Sequence, residues 1–458
     1  MKLFLSHPRL AAIAMIVVLS LSLTPAASAQ LTDFLGVYPS LDAEIAVPHG
    51  TYDRQLNQAI LVSLRGIGLI DTRLGLDVTV QAPNGGTLTR TYTSNFLDLK
   101  NASYEIAEVL VDSDSYIIFL NKFSNLENTW ASWVIKISSE TLILQWAREL
   151  TYLSDGISYL RVRDAVATVD GYAVLADLDA AFIGGRTGVA MLDTGSGAMQ
   201  WTGQYFLSEA VELLKLEYGG FGLRALGWLT DPDSENFSEV AILSLSSNNG
   251  ALLNAAHYPG AYAFFDVGTA TAPPYGELSR VHYLGAYSGF GDVLFLSISG
   301  SLEAQPGVLI DRVRQVPSDF VVLRDGGLVA QIEGQLGASL LSVPGPLQTG
   351  SAAPFTTRLD SAPGIAATLP RSLDPTGDGV VSIGSTDFGG VREPYLAASQ
   401  GTDFRSCLIQ RPLAPREQVE VETIYFKDWT SMAPFIESSP EGFFFYDVSY
   451  PAASLPCF

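Results

Sequence analysis

The chain is patterned in short apolar runs separated by small or polar clusters. SYIIFL, GYAVLADL, GVAMLD, EVAILSLS and DVLFLSIS run six to eight residues, include β-branched and aromatic side chains, and are either alternating or continuously apolar. A helix would need apolar residues three and four apart, so these runs predict strands and little helix. Asp155-Gly156, Asp170-Gly171, Asp325-Gly326 and Asp378-Gly379 mark turns, where glycine supplies the positive φ of a tight hairpin.

The runs also repeat as groups. The sharpest copy spans Asp170 to Tyr205, DGYAVLADLDAAFIGGRTGVAMLDTGSGAMQWTGQY. An earlier copy runs from Asp112 to Leu150, a later one ends at Tyr258, and LDVTVQAPNGGTLTRTY ends at Tyr92. With Tyr92, Leu150, Tyr205 and Tyr258 taken as equivalent, the spacings are 58, 55 and 53 residues, a period found in propellers and related arrays. Fainter copies continue it: VHYLGAY with DVLFLSIS, DFVVL with GGLVAQIEG and ASLLSV, and DGVVSIGST with EPYLAAS, to about Cys407. The period predicts an all-β fold, a β-propeller of seven four-stranded blades. A parallel β-helix is the architectural alternative, with shorter coils of roughly 20 residues.

The runs LDTGSGAMQW (Leu192 to Trp201) and KISSETLILQW (Lys136 to Trp146) resemble the repeat of pyrroloquinoline-quinone-like propellers. In that repeat a strand ends in a turn and a tryptophan docks on the next blade. The wider pattern is similar to bacterial secreted seven-bladed propeller repeat proteins, largely of unknown function. The resemblance covers roughly residues 58–407 and implies that Trp146 and Trp201 are blade-docking residues rather than parts of a cofactor site. Arg90 and Asn254 stand where other units would carry the tryptophan. The vicinal cysteines of many quinone dehydrogenases are absent, and no quinone cofactor is expected.

The ends differ from the array. Lys2 and Arg9 precede an apolar run from Leu10 to Leu23, then Pro25 and Ala27-Ser28-Ala29, so residues 1–29 read as a signal peptide. The run is too short to span a bilayer, and a secreted or periplasmic product without a membrane span is expected. Residues 30–57 are expected to supply a ring-closing strand, and 58–407 the propeller. In 408–458, EQVEVETIYF and GFFFYDVSY read as strands that either complete the last blade or form a small appended β element. Cys407 and Cys457 are the only cysteines, and a disulfide tying this segment back is expected for an exported chain, with two buried thiols as the alternative.

Charge narrows the partners. The 458 residues hold 26 Lys plus Arg against 48 Asp plus Glu, a net −22 that becomes −24 once Lys2 and Arg9 leave with the signal. Such an excess argues against nucleic acid or an anionic membrane as partner. H-E-x-x-H, G-x-S-x-G, P-loop and G-x-G-x-x-G patterns are missing, and His49, His257 and His282 form no close pair. Asp177 and Asp179, and Asp231, Asp233 and Glu235, read as exposed loop acids. Asp374 to Ser385, DPTGDGVVSIGS, opens like a calcium loop with Asp374 and Asp378, but position 12 is Ser385 rather than an acid, so a structural turn competes with calcium. The resulting expectation is a monomeric, exported, non-catalytic scaffold for protein or glycan binding. A polysaccharide-active hydrolase or lyase using acids at the funnel mouth is the alternative, with its catalytic residues unassigned.

Overall fold

A computed structural model of the chain describes residues 34–37 and the strands and tight turns between 46 and 455. Residues 1–33, 38–45, 179–186, 231–237, 271–280, 345–352, 400–408, 456–458 and shorter stretches between strands lie outside that description. For 34–37, most of 260–291, 361–378 and most of 409–455 the backbone alone is described.

The described elements are strands, and their pairing groups them into seven sheets. Six are antiparallel meanders in chain order, which we number blades 1 to 6: 49–98, 102–154, 161–207, 210–258, 262–310 and 316–358. Blade 7 contributes three strands from 365–399 and takes its fourth, Phe34–Val37, from the other end of the chain, with Phe34 opposite Ala398 and Val37 opposite Tyr395. The inner strands are His49–Asp53, Ala102–Asp112, Arg161–Ala167, Ala210–Gly219, Tyr262–Ala270, Val316–Val322 and Ile365–Pro375. Each packs on the next, and the last packs on the first, so the sheets form a closed propeller ring. The array therefore starts at His49, inside the segment assigned from sequence to ring closure.

Burial on both faces explains the continuous apolar runs. Along Tyr172–Asp177 every residue is buried. Tyr172, Val174 and Ala176 enter the core shared by blades 2 and 3, whereas Ala173 and Leu175 enter the core shared by blades 3 and 4. Tyr116, Ile118 and Leu120 alternate with Ile117 and Phe119 in the same manner in blade 2. Successive strand side chains point to opposite faces, and in a ring both faces meet a neighbouring blade.

Besides Ile157–Ser158, which adds to blade 2 alone, each sheet carries an extra strand that the four-stranded expectation lacked. All seven come from the C-terminal segment. Ile409–Pro412 pairs with the outer strand of blade 6, Glu417–Val419 with blade 5, Ile424–Tyr425 with blade 4 and Trp429–Met432 with blade 3. Ile436–Pro440 pairs with blade 2, Phe444–Val448 with blade 1, and Ala453–Leu455 with Phe34–Val37 in blade 7. The segment is thus neither part of the last blade alone nor a separate element. It is a belt that circles the ring against the order of the blades and covers every outer edge, which would otherwise present unpaired backbone groups.

Candidate functional site

The inner strands of blades 2 to 6 share one irregularity. Their register shifts between Ile106 and Glu108, Val162 and Asp164, Leu213 and Lys215, Phe264 and Asp266, and Pro317 and Asp319. A β-bulge inserts one residue and re-aims the side chains around it. The residue after every one of these bulges is charged.

Four of the ring's side chains meet across blades 1 to 4. His49 Nε2 lies 3.8 Å from Glu108 Oε1, and Val109 N–H donates to that same oxygen at 3.0 Å. Glu108 also shares a hydrogen bond with Asp164, whose Oδ2 accepts the Leu216 N–H of the next blade at 2.5 Å. Burial, and then the charge of Asp164, hold the Glu108 carboxyl well above the usual range, with Lys215 opposing them. Only 17% of the Glu108 side chain is exposed.

A second network runs between blades 2, 3 and 4. Arg163, the inserted residue of its bulge, places Nε 2.6 Å from Asp177 Oδ1 and Nη2 2.6 Å from Glu212 Oε1. Arg161 donates from Nε and Nη2 to Glu105 Oε2 at 3.0 and 2.8 Å and stacks over Trp130 at 5.0 Å. Asp177 is buried and ion-paired, not the exposed loop acid expected from sequence. Burial raises its carboxyl pKa, and the two arginines partly offset that shift. Asp179 lies outside the described residues.

The outer strands of blades 1 to 4 are each latched to the next blade. The Trp146 indole N–H donates to the Thr194 carbonyl at 3.4 Å, and that of Trp201 to Ser247 at 2.7 Å. The turns they reach hold Gly197 at φ +66° and Gly250 at φ +70°, and a Cβ at either position would sit within 3 Å of the indole. Asn254 makes the corresponding bond to Ser301 at 3.5 Å. Arg90 is not at the tryptophan position. It lies two residues before Tyr92, as Arg148 does before Leu150, and it donates to the Thr141 and Leu142 carbonyls at 2.7 and 2.8 Å, where Arg148 reaches Ser196 at 2.7 Å. Tyr92, Tyr205 and Tyr258 add O–H bonds to Leu142, Gly250 and Leu302 in the next blade.

On blade 2, a cleft of about 320 Å³ opens above the apolar core that this blade shares with blade 1. Ala102, Ala131 and Trp133 form its floor, and Lys122, Glu127 and Glu149 bring charge to its rim. Amide and hydroxyl groups of Asn101, Ser124 and Thr129, with the exposed Leu126, complete the lining.

Of the remaining sequence candidates, Asp374 lies in the inner strand of blade 7 opposite Val381, and Asp378 lies outside the described residues. So do Cys407, Cys457, Asp231, Asp233 and Glu235. His257 Nδ1 lies 2.5 Å from Glu239 Oε2 on a blade 4 strand pair, away from the inner strands, and His282 pairs with Ile298 in blade 5. Among the described residues, no group of three His, Cys, Asp or Glu side chains is placed to hold a metal, and no helix is long and apolar enough to cross a membrane. Sequence reading passed over Glu108, Asp164, Lys215, Asp266 and Asp319. Their signal is a charged residue opening an apolar run at intervals of 51 to 56 residues.

No protein-family model matches the chain, and no curated protein matches it. The propeller stands on the strand pairing, and the likeness to quinone-type propellers has no support from a family match.

Proposed function

We propose that the chain is an exported, non-catalytic propeller scaffold that binds a protein or glycan, with the cleft on blade 2 as a contact point. The observation that carries this reading is the lining of that cleft: both signs of charge, an amide and two hydroxyls above an apolar floor. Such a mixture suits a hydroxyl- or amide-rich ligand, and rigid neighbouring strands hold it in place. A screen of glycans and peptides by calorimetry, beside hydrolase and lyase assays on the same glycans, tests it. Binding without turnover, weakened about tenfold or more by Lys122→Ala with Glu127→Ala, is expected. No binding to either class, or binding unchanged in the double variant, would overturn the cleft.

One observation favours the enzymatic alternative. Glu108 and Asp164 share a hydrogen bond in a buried acid pair, and burial followed by the Asp164 charge pushes the Glu108 pKa up, the direction a general acid needs. Polysaccharide turnover lost in Glu108→Gln, with the fold intact, would favour this reading over the scaffold.

A further inference from the structure

The belt moves from one blade to the next by short links. Residues 413–416, 420–423, 426–428, 433–435, 441–443 and 449–452 join its seven strands, so each of the six links has three or four residues. Every belt strand is antiparallel to the outer strand it covers, and each link leaves the end of one belt strand for the start of the next on the adjacent blade. The blades are visited in the order 6, 5, 4, 3, 2, 1, 7. The next step in that sense leads from blade 7 back to blade 6, where the belt began, and the inner strands of these two blades pack together.

The residues available for this seventh step are Pro456 and Cys457 after Leu455, and Cys407 and Leu408 before Ile409. They make a link of four residues, the length of the longer peptide links, with the two cysteines at its centre. A disulfide joins Cα atoms about 5.5 Å apart, against 3.8 Å across a peptide bond, so it can stand in for the missing peptide bond with little change in reach. We propose that a Cys407–Cys457 disulfide completes the belt as a covalent hoop around all seven blades. Both cysteines lie outside the described residues, and the inference rests on the strands that begin and end two residues from them.

The bond forms by exchange with a disulfide-bearing oxidant. One cysteine thiolate attacks that disulfide and releases one of its sulfurs as a thiol. The second thiolate then displaces the other sulfur, so the oxidant leaves reduced by two electrons and both cysteine protons are lost. Without that bond the belt ends in the three-residue strand Ala453–Leu455, held by its pairing with Phe34–Val37, and the other belt strands can peel from there in turn. The hoop removes that end.

Tryptic mapping of the full chain without reductant tests the bond. The peptide Ser406 to Arg416 is expected to be joined to Asp428 to Phe458, the pair lighter by two hydrogens than its parts, and to separate on reduction. Two unlinked thiol peptides from the oxidised, exported protein would overturn the proposal. The hoop itself is tested by inserting a protease site within 426–428. Cleavage of the folded protein is expected to release no fragment until reductant is added, yet to speed unfolding in denaturant about tenfold or more, as Cys457→Ser does. A disulfide whose loss, or a belt whose cleavage, leaves the unfolding rate unchanged would show that the link is a local staple and not a hoop.

Discussion

Gly250 gives the sharpest test of how the blades are latched. Replacing it with alanine does two separable things. At φ +70° a side chain costs about 1–2 kcal/mol of backbone strain. The new Cβ would also lie 2.6 Å from Cε3 and Cζ3 of Trp201, inside any normal carbon contact, and relieving that overlap costs about 1–3 kcal/mol. Gly250→Ala should therefore destabilise by about 2–5 kcal/mol. Trp201→Ala removes a half-buried indole and its bond to Ser247, for about 2–4 kcal/mol, near or below the range for a fully buried aromatic. In the double variant the Cβ meets empty space and only the strain remains. The two costs should then fall short of additivity by about 1–3 kcal/mol. Denaturant midpoints at constant m value for the four proteins measure this. Additivity within about 0.5 kcal/mol would refute a latch built on contact between the indole and the turn.

Glu108→Gln keeps a donor toward Asp164 but removes the proton. The folded state binds this proton above the pH at which unfolded glutamates release theirs, so stability should fall as pH rises from the ordinary carboxylate range through the raised Glu108 pKa. The variant's stability curve against pH should be flatter there, with a remaining slope from Asp77 and Asp177, which shift in the same direction, and parallel curves would contradict the assignment. Arg163→Ala leaves Asp177 buried with only Arg161 Nη1 at 4.0 Å, and should cost about 3–5 kcal/mol in denaturant unfolding. For Asp374 and Asp378 the turn reading predicts that excess Ca²⁺ followed by chelator moves the unfolding free energy by less than about 1 kcal/mol; a larger shift abolished by Asp378→Asn would establish a calcium site.

What the sequence disclosed follows from burial. GYAVLADL was legible as a strand because both of its faces are covered, and Asp170-Gly171 as a turn because it joins the first two strands of blade 3, where the Thr168 hydroxyl accepts the Gly171 N–H. HGTYD was not legible, since His49, Thr51 and Asp53 are buried without being apolar. The belt as a whole escaped for a different reason, although EQVEVETIYF and GFFFYDVSY already read as strands. Its strands are two to five residues long, and Ile424–Tyr425 is too short to carry any period. Their pairing is also non-local, so no turn beside them announces it. Asp177 looked like a loop acid because its neutralising arginine is fourteen residues earlier, brought opposite only when the first two strands of blade 3 pair.

The position of Phe34–Val37 has a consequence for how the molecule is made. This strand leaves the ribosome early, yet its two neighbours in blade 7 are Tyr395–Ala398 and Ala453–Leu455, about 360 and 420 residues later. Pairings of such sequence separation are slow to find. Blade 7 cannot assemble until its own strands at 365–399 are made, and its outer edge stays open until 453–455 emerge. Because the segment that ends there also covers the other six sheets in turn, a polypeptide cut short anywhere in its final fifty or so residues would expose strand edges on blade 7 and on every blade the belt had not yet reached. Hiding all seven outer edges thus requires the whole belt, down to Ala453–Leu455.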